Sequence, residues 1–118
     1  MDKKHESNWL EYTDIWSEPD RSKRLRLFNT VLSEDFVYTD PLVEIDDADA
    51  LASYIDVFQQ TFPGAHFAVK TFRTHHRQGL AEWNLIDAEG VLLHRGTSTV
   101  YYSADNKFER ITGYFDVP

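Results

Sequence analysis

The chain has 118 residues, a net charge of −8 and no cysteine. That length reads as one domain, residues 1–118, able to bury roughly two-thirds of its unfolded surface without a covalent staple. The missing thiols exclude disulfides, thiolate catalysis and cysteine-bound metals and suit a reducing, cytoplasmic setting, while the acidic balance counts against nucleic acid and anionic membranes as partners. Met1 to Asn8 has no apolar core behind its lysines, so it does not read as a secretion leader, and no apolar run approaches membrane-spanning length.

From Ser7 to Trp16, Trp9, Tyr12 and Trp16 recur at helical spacing, which predicts an amphipathic helix capped at Ser7 or Asn8. Ser17-Glu18-Pro19-Asp20 breaks it and starts a second helix with Pro19 in its first turn and Leu25, Phe28, Val31 and Leu32 on the buried edge. Arg21, Lys23, Arg24 and Arg26 read as its solvated face. Phe36-Val37-Tyr38 begins a short strand that Pro41 ends or confines to an edge.

Asp46 to Phe62 is a third helix with Leu51, Ile55, Phe58 and Phe62 as its stripe, Asp46 or Asp47 as cap and Pro63-Gly64 as stop. His66 to Gln78 alternates as a strand, with Phe67, Val69, Thr71, Arg73 and His75 on one face. A meander follows: Leu80 to Asp87, Val91 to Tyr102 and Phe108 to Val117, joined by Ala88-Glu89-Gly90 and by a turn in which Asn106 takes the left-handed conformation. Helix, helix, strand, helix and four strands predict an α+β domain whose helices cover one side of a strongly curved antiparallel or mixed sheet. If the curvature is sufficient, a cone-shaped cavity opens between them.

Phe36-Val37-Tyr38-Thr39-Asp40-Pro41, the helix ending in Phe62-Pro63-Gly64, Trp83, Gly90, Gly96-Thr97 and Ile111-Thr112-Gly113-Tyr114-Phe115-Asp116 together resemble the pattern of SnoaL-like polyketide cyclases in the NTF2-like superfamily. The resemblance spans almost the whole chain and implies an NTF2-like cone, a small apolar or weakly polar organic ligand, no cofactor, and homodimers formed through the convex sheet face. It implies isomerase-, cyclase- or dehydratase-type chemistry on a carbonyl compound, with a ligand-binding or dimerisation module without turnover as the other reading. Two departures stand out. Ser98 replaces an acid that many relatives carry two positions after the glycine of the penultimate strand, and Asp46-Asp47 replaces a glycine before the third helix.

The resemblance implies that Asp116 is the acid/base carboxylate; otherwise it is a surface residue at a frayed end. Asp40 either braces the turn at Pro41 or, facing the cavity, acts as a base. His94, sharing a strand face with Gly96, Ser98 and Val100, is a packed histidine or a proton relay. Trp83 is expected as apolar wall, Tyr12 and Trp16 as core or, where the sheet bends away, cavity lining, and Tyr38 and Tyr114 as donors to a carbonyl oxygen that becomes negative or as buried tyrosines that only satisfy their hydroxyls, with Tyr114 on the same face as Asp116 by strict alternation. No metal is expected: the five histidines lack ligand spacing, and His75 and His76 point to opposite sides of a strand.

Overall fold

The computed structural model describes residues 3–117, so the expectation about Met1 and Asp2 lies outside the described residues. The first helix, α1 (Lys3–Ile15), begins four residues before the expected cap. A tertiary anchor explains the extra turn. His5 is buried, stacks on Tyr102 at 3.9 Å between centroids, and hydrogen-bonds Thr74 at 2.8 Å and Asn106 at 3.1 Å. Helix α2 (Arg21–Val31) is capped by Asp20, which accepts from the Ser22 and Lys23 amides, so Pro19 precedes the helix instead of occupying its first turn.

Arg24 corrects the picture of a wholly solvated basic face. Its guanidinium is fully buried between α2 and α3 (Ala48–Thr61), donating to the Glu18 carbonyl at 2.8 Å and pairing with the Asp56 carboxylate. The long aliphatic stem lets a cation sit inside provided that its head meets oxygens there. Asp47 caps α3 through the Ala50 amide at 2.7 Å, and Leu51, Ala52 and Ile55 are sealed in the core. The helix stops before Gly64, whose φ of 75° leads the chain away.

Six strands follow the order β2-β1-β6-β5-β4-β3, with β1 (Leu32–Asp40), β2 (Val43–Ile45), β3 (His66–His75), β4 (Gln78–Ile86), β5 (Leu92–Tyr102) and β6 (Phe108–Tyr114). The sheet is mixed, because β1 runs parallel to β6 while every other pair is antiparallel. Pro41 sits in the turn of a β1–β2 hairpin that the sequence does not announce, since three residues are too few for a pattern.

The expected strand through Gln78 is cut by a turn at His76-Arg77, and His76 takes φ 54°. That turn brings the Nδ1 atoms of His75 and His76 to 3.1 Å, so the two rings converge instead of pointing apart. Pairing register shifts between Val69 and Thr71, between Leu85 and Ile86, and between Tyr101 and Tyr102. An extra residue in one strand bends it and raises its twist, which curls this sheet around the helices. The first shift also exchanges faces in β3, so Phe72 joins Phe67 and Val69 against the core and packs on Trp9 at 6.5 Å between centroids.

Candidate functional site

Curvature leaves a cavity of about 550 Å³ between the concave face of the sheet and the helices. Helix α1 supplies Trp9 and Tyr12, and the turn after it Trp16, as one wall; α3 supplies Tyr54 and Phe58, and its C-cap Phe62, as another. The rings interlock edge to face: Trp16 meets Phe58 at 5.3 Å, Phe67 at 5.7 Å and Tyr54 at 6.0 Å. Such pairings are favourable beyond the area they bury and hold the walls apart with little freedom.

The floor is set by strand alternation. Trp83 and Ser98 face the cavity, and the indole lies across the backbone of Gly96, where a methyl group would come within 2.2 Å of its ring. A glycine is therefore the only residue that lets the indole lie flat there. Its Nε1 donates to the Ser98 hydroxyl at 3.0 Å, so the serine helps to orient the aromatic floor.

One carboxylate lies within these walls. Tyr38 donates to Asp40 Oδ2 at 2.6 Å and Tyr54 donates to the same oxygen at 2.8 Å, while Oδ1 accepts from the Leu42 and Val43 amides at 2.8 and 3.2 Å. Asp40 thus braces the turn and also lines the cavity. Four donors and no acceptor suit an anion.

Burial pushes the Tyr38 hydroxyl well above its ordinary range, reinforced by Tyr12 and Asp40; burial followed by the bond to Asp40 does the same for Tyr54. Tyr12 is raised by burial too, with Asp40 and Tyr54 adding to it. The Trp16 indole, second only to burial, opposes this from nearby, short of hydrogen-bond geometry. All three phenols remain neutral donors.

His94 and Asp116 are exposed and lie at the cavity mouth, His94 edge-on to Phe62 at 6.1 Å. Tyr114 requires a correction. It is 59% exposed and lies away from the cavity, beside Arg95 and Lys70 in a second, more polar depression on the outer side of the sheet. Regular strand ends at Tyr114, so alternation no longer governs Asp116, which turns back toward the mouth. Tyr54 is the functional group that the sequence reading missed. It stands four residues before Phe58, on the same helical face, and that spacing was the available signal. Among the described residues, no three histidine or acidic side chains converge on a metal-binding point.

No family model matches the chain, and no curated protein sequence matches it. Solved structures do. A candidate isomerase of the SnoaL-like family from Agrobacterium tumefaciens superposes with a TM-score of 0.89 at 26% identity, covering 98% of this chain and all (100%) of the other. A candidate SnoaL-like polyketide cyclase from Jannaschia sp. CCS1 gives 0.77 at 9% identity over 97% and 86% of the two chains. An NTF2-like protein of unknown function from Exiguobacterium sp. 255-15 gives 0.72 at 15% identity over 94% and 99%.

Proposed function

We propose that this chain, which shares its fold with SnoaL-like proteins of the NTF2-like superfamily, is one of them, binds a small neutral organic molecule in the aromatic cavity and moves a proton next to a carbonyl group without a cofactor. The observation that carries this reading is Asp40: a carboxylate set in an apolar cavity wall, with two tyrosine hydroxyls on one of its oxygens. When one phenol turns away, Oδ2 accepts a proton from the carbon beside the carbonyl. The C–H electron pair becomes the enolate double bond and negative charge moves to the ligand oxygen, where neighbouring donors stabilise it. Return of the proton to a different position completes an isomerisation. Aromatic walls exclude water and hold a flat ligand, with Trp83 beneath it and His94 and Asp116 at the entrance.

The test is deuterium exchange at C2 of 1-tetralone in D2O, followed by NMR with the wild type, Asp40→Asn and Asp116→Asn. Wild-type acceleration over buffer that disappears in Asp40→Asn is expected, with Asp116→Asn retaining most of it. Equal exchange by wild type and Asp40→Asn removes Asp40 as the base.

A second reading, binding without turnover, is favoured by the full set of donors that already occupies Asp40 and by Ser98 in place of an acid. Ligand-induced thermal stabilisation with no exchange above buffer selects it. Either reading goes with a homodimer through the convex face, supported by Leu80, Tyr101 and Tyr114 left 37%, 41% and 59% exposed there. Sedimentation showing only monomer across a concentration series rules that dimer out. A cytoplasmic location goes with the same reading, on the strength of a chain without cysteine.

A further inference from the structure

The turn between β3 and β4 brings together two groups that the aromatic cavity does not use. His75 ends β3 and pairs with Gln78, so His76 and Arg77 alone make the turn. Both imidazoles are exposed, and their Nδ1 atoms stand 3.1 Å apart with the ring planes at 89°. Neighbours on a regular strand project to opposite faces; here φ of 54° at His76 takes the second ring out of that alternation and round to the first.

The backbone that sets this approach is tied down on both sides. The Tyr102 amide donates to the Arg77 carbonyl at 2.7 Å, and the Thr74 hydroxyl donates to the Gln78 carbonyl at 2.9 Å. The nearest cation in sequence, the Arg77 guanidinium, lies over the Tyr101 ring at 5.8 Å from its centroid.

By themselves the two rings gain one hydrogen bond, with a proton on one Nδ1 and a lone pair on the other. A metal ion uses the pair more fully. Two imidazole nitrogens about 2.0–2.1 Å from one ion and 3.1 Å from each other subtend about 100° at it, between a square-planar and a tetrahedral angle. Each ring then keeps its proton on Nε2 and turns the Nδ1 lone pair to the ion. Neutral nitrogen donors favour Cu2+ over Ni2+ and Zn2+ and give Mg2+ nothing it prefers to water.

We propose that His75 and His76 form a chelating site for one divalent transition-metal ion per chain, Cu2+ above the others. Among the described residues no third histidine or acidic side chain joins them, so water takes the remaining positions. The site is separate from the cavity, whose lining includes neither ring, and does not depend on what binds there.

The experiment is calorimetric titration of CuCl2, ZnCl2 and MgCl2 into the untagged full chain and into His75→Ala, His76→Ala and His66→Ala, the last removing an exposed histidine from the other end of β3. The wild type is expected to bind one Cu2+ per chain, Zn2+ more weakly, and Mg2+ not at all. Once one ring holds the ion the second binds it intramolecularly, so losing either should weaken Cu2+ binding at least about tenfold, while His66→Ala stays within about twofold. Nitrogen NMR of the wild-type imidazoles with ZnCl2 should shift Nδ1 of both His75 and His76 and leave both protons on Nε2. Because both rings are exposed, the melting temperatures of their variants should match the wild type, which separates lost ligation from lost folding.

Absence of Cu2+ binding by the wild type, affinity unchanged in His75→Ala or in His76→Ala, or an equal loss in His66→Ala overturns the chelate. Zn2+ shifts confined to one ring, or falling on Nε2, overturn it independently of any variant.

Discussion

Substituting Gly96 by alanine tests whether the aromatic floor is set by backbone clearance. The added methyl would lie 2.2, 2.4 and 2.8 Å from the Cζ2, Cη2 and Cε2 atoms of Trp83. The nearest falls more than about 1 Å short of an ordinary carbon–carbon contact near 3.5 Å. The indole is 8% exposed and must therefore lift, losing its hydrogen bond to Ser98. Overpacking costs about 1–3 kcal/mol and the lost bond about 0.5–1.5 kcal/mol, so Gly96→Ala is expected to destabilise the domain by about 1.5–4.5 kcal/mol. Urea unfolding measures this, single domains of this size being close to two-state. The atoms that clash belong to the indole and are lacking in a phenylalanine ring. In a Trp83→Phe background the same substitution should then cost less than about 1 kcal/mol, a coupling of at least about 0.5 kcal/mol. Equal costs in the two backgrounds would refute steric control of the floor by Gly96.

The Arg24–Asp56 pair, buried only at its guanidinium end, gives an asymmetric expectation. Asp56→Ala leaves a fully buried guanidinium with only the Glu18 and Ala52 carbonyls and, the lost carboxylate being 40% exposed, should cost about 1–3 kcal/mol, whereas Arg24→Met removes the buried charge itself and should cost less. A larger loss for Arg24→Met by urea unfolding would contradict this. At alkaline pH, Tyr12, Tyr38 and Tyr54 have folded-state pKa values raised above the unfolded value near 10, with burial first among the causes. The advantage of their neutral form is intact below about pH 10 and is lost as the unfolded chain begins to ionise above it, so stability should fall steeply there. Tyr54→Phe should flatten that fall in a pH series of melting curves, and an unchanged slope would show that Tyr54 does not contribute.

Local chemistry wrote the element list. Asp20 and Asp47 cap helices through their own carboxylates, Gly64 and Asn106 take positive φ where turns need it, and Gly90 does the same between β4 and β5. Such signals depend on residues within a few positions of one another, so they are readable in sequence. The aromatic stripe on α1 and the alternation that turns Trp83 and Ser98 inward were readable for the same reason.

What escaped depended on partners distant along the chain. His5 lengthens α1 because Thr74 and Asn106 meet it across the fold, and Arg24 goes inside because Asp56, on another helix, waits there. The bulge at Val69–Thr71 reversed the faces of β3, and the end of β6 at Tyr114 parted that residue from Asp116. A period of two carries no record of a single inserted residue or of where pairing stops. Sequence therefore determined which groups are available to this protein, and tertiary structure alone decided which stand together. Asp40 lies among three tyrosines because the curvature of the sheet brings β1, α1 and α3 to one cavity, and that curvature is a property of all six strands at once.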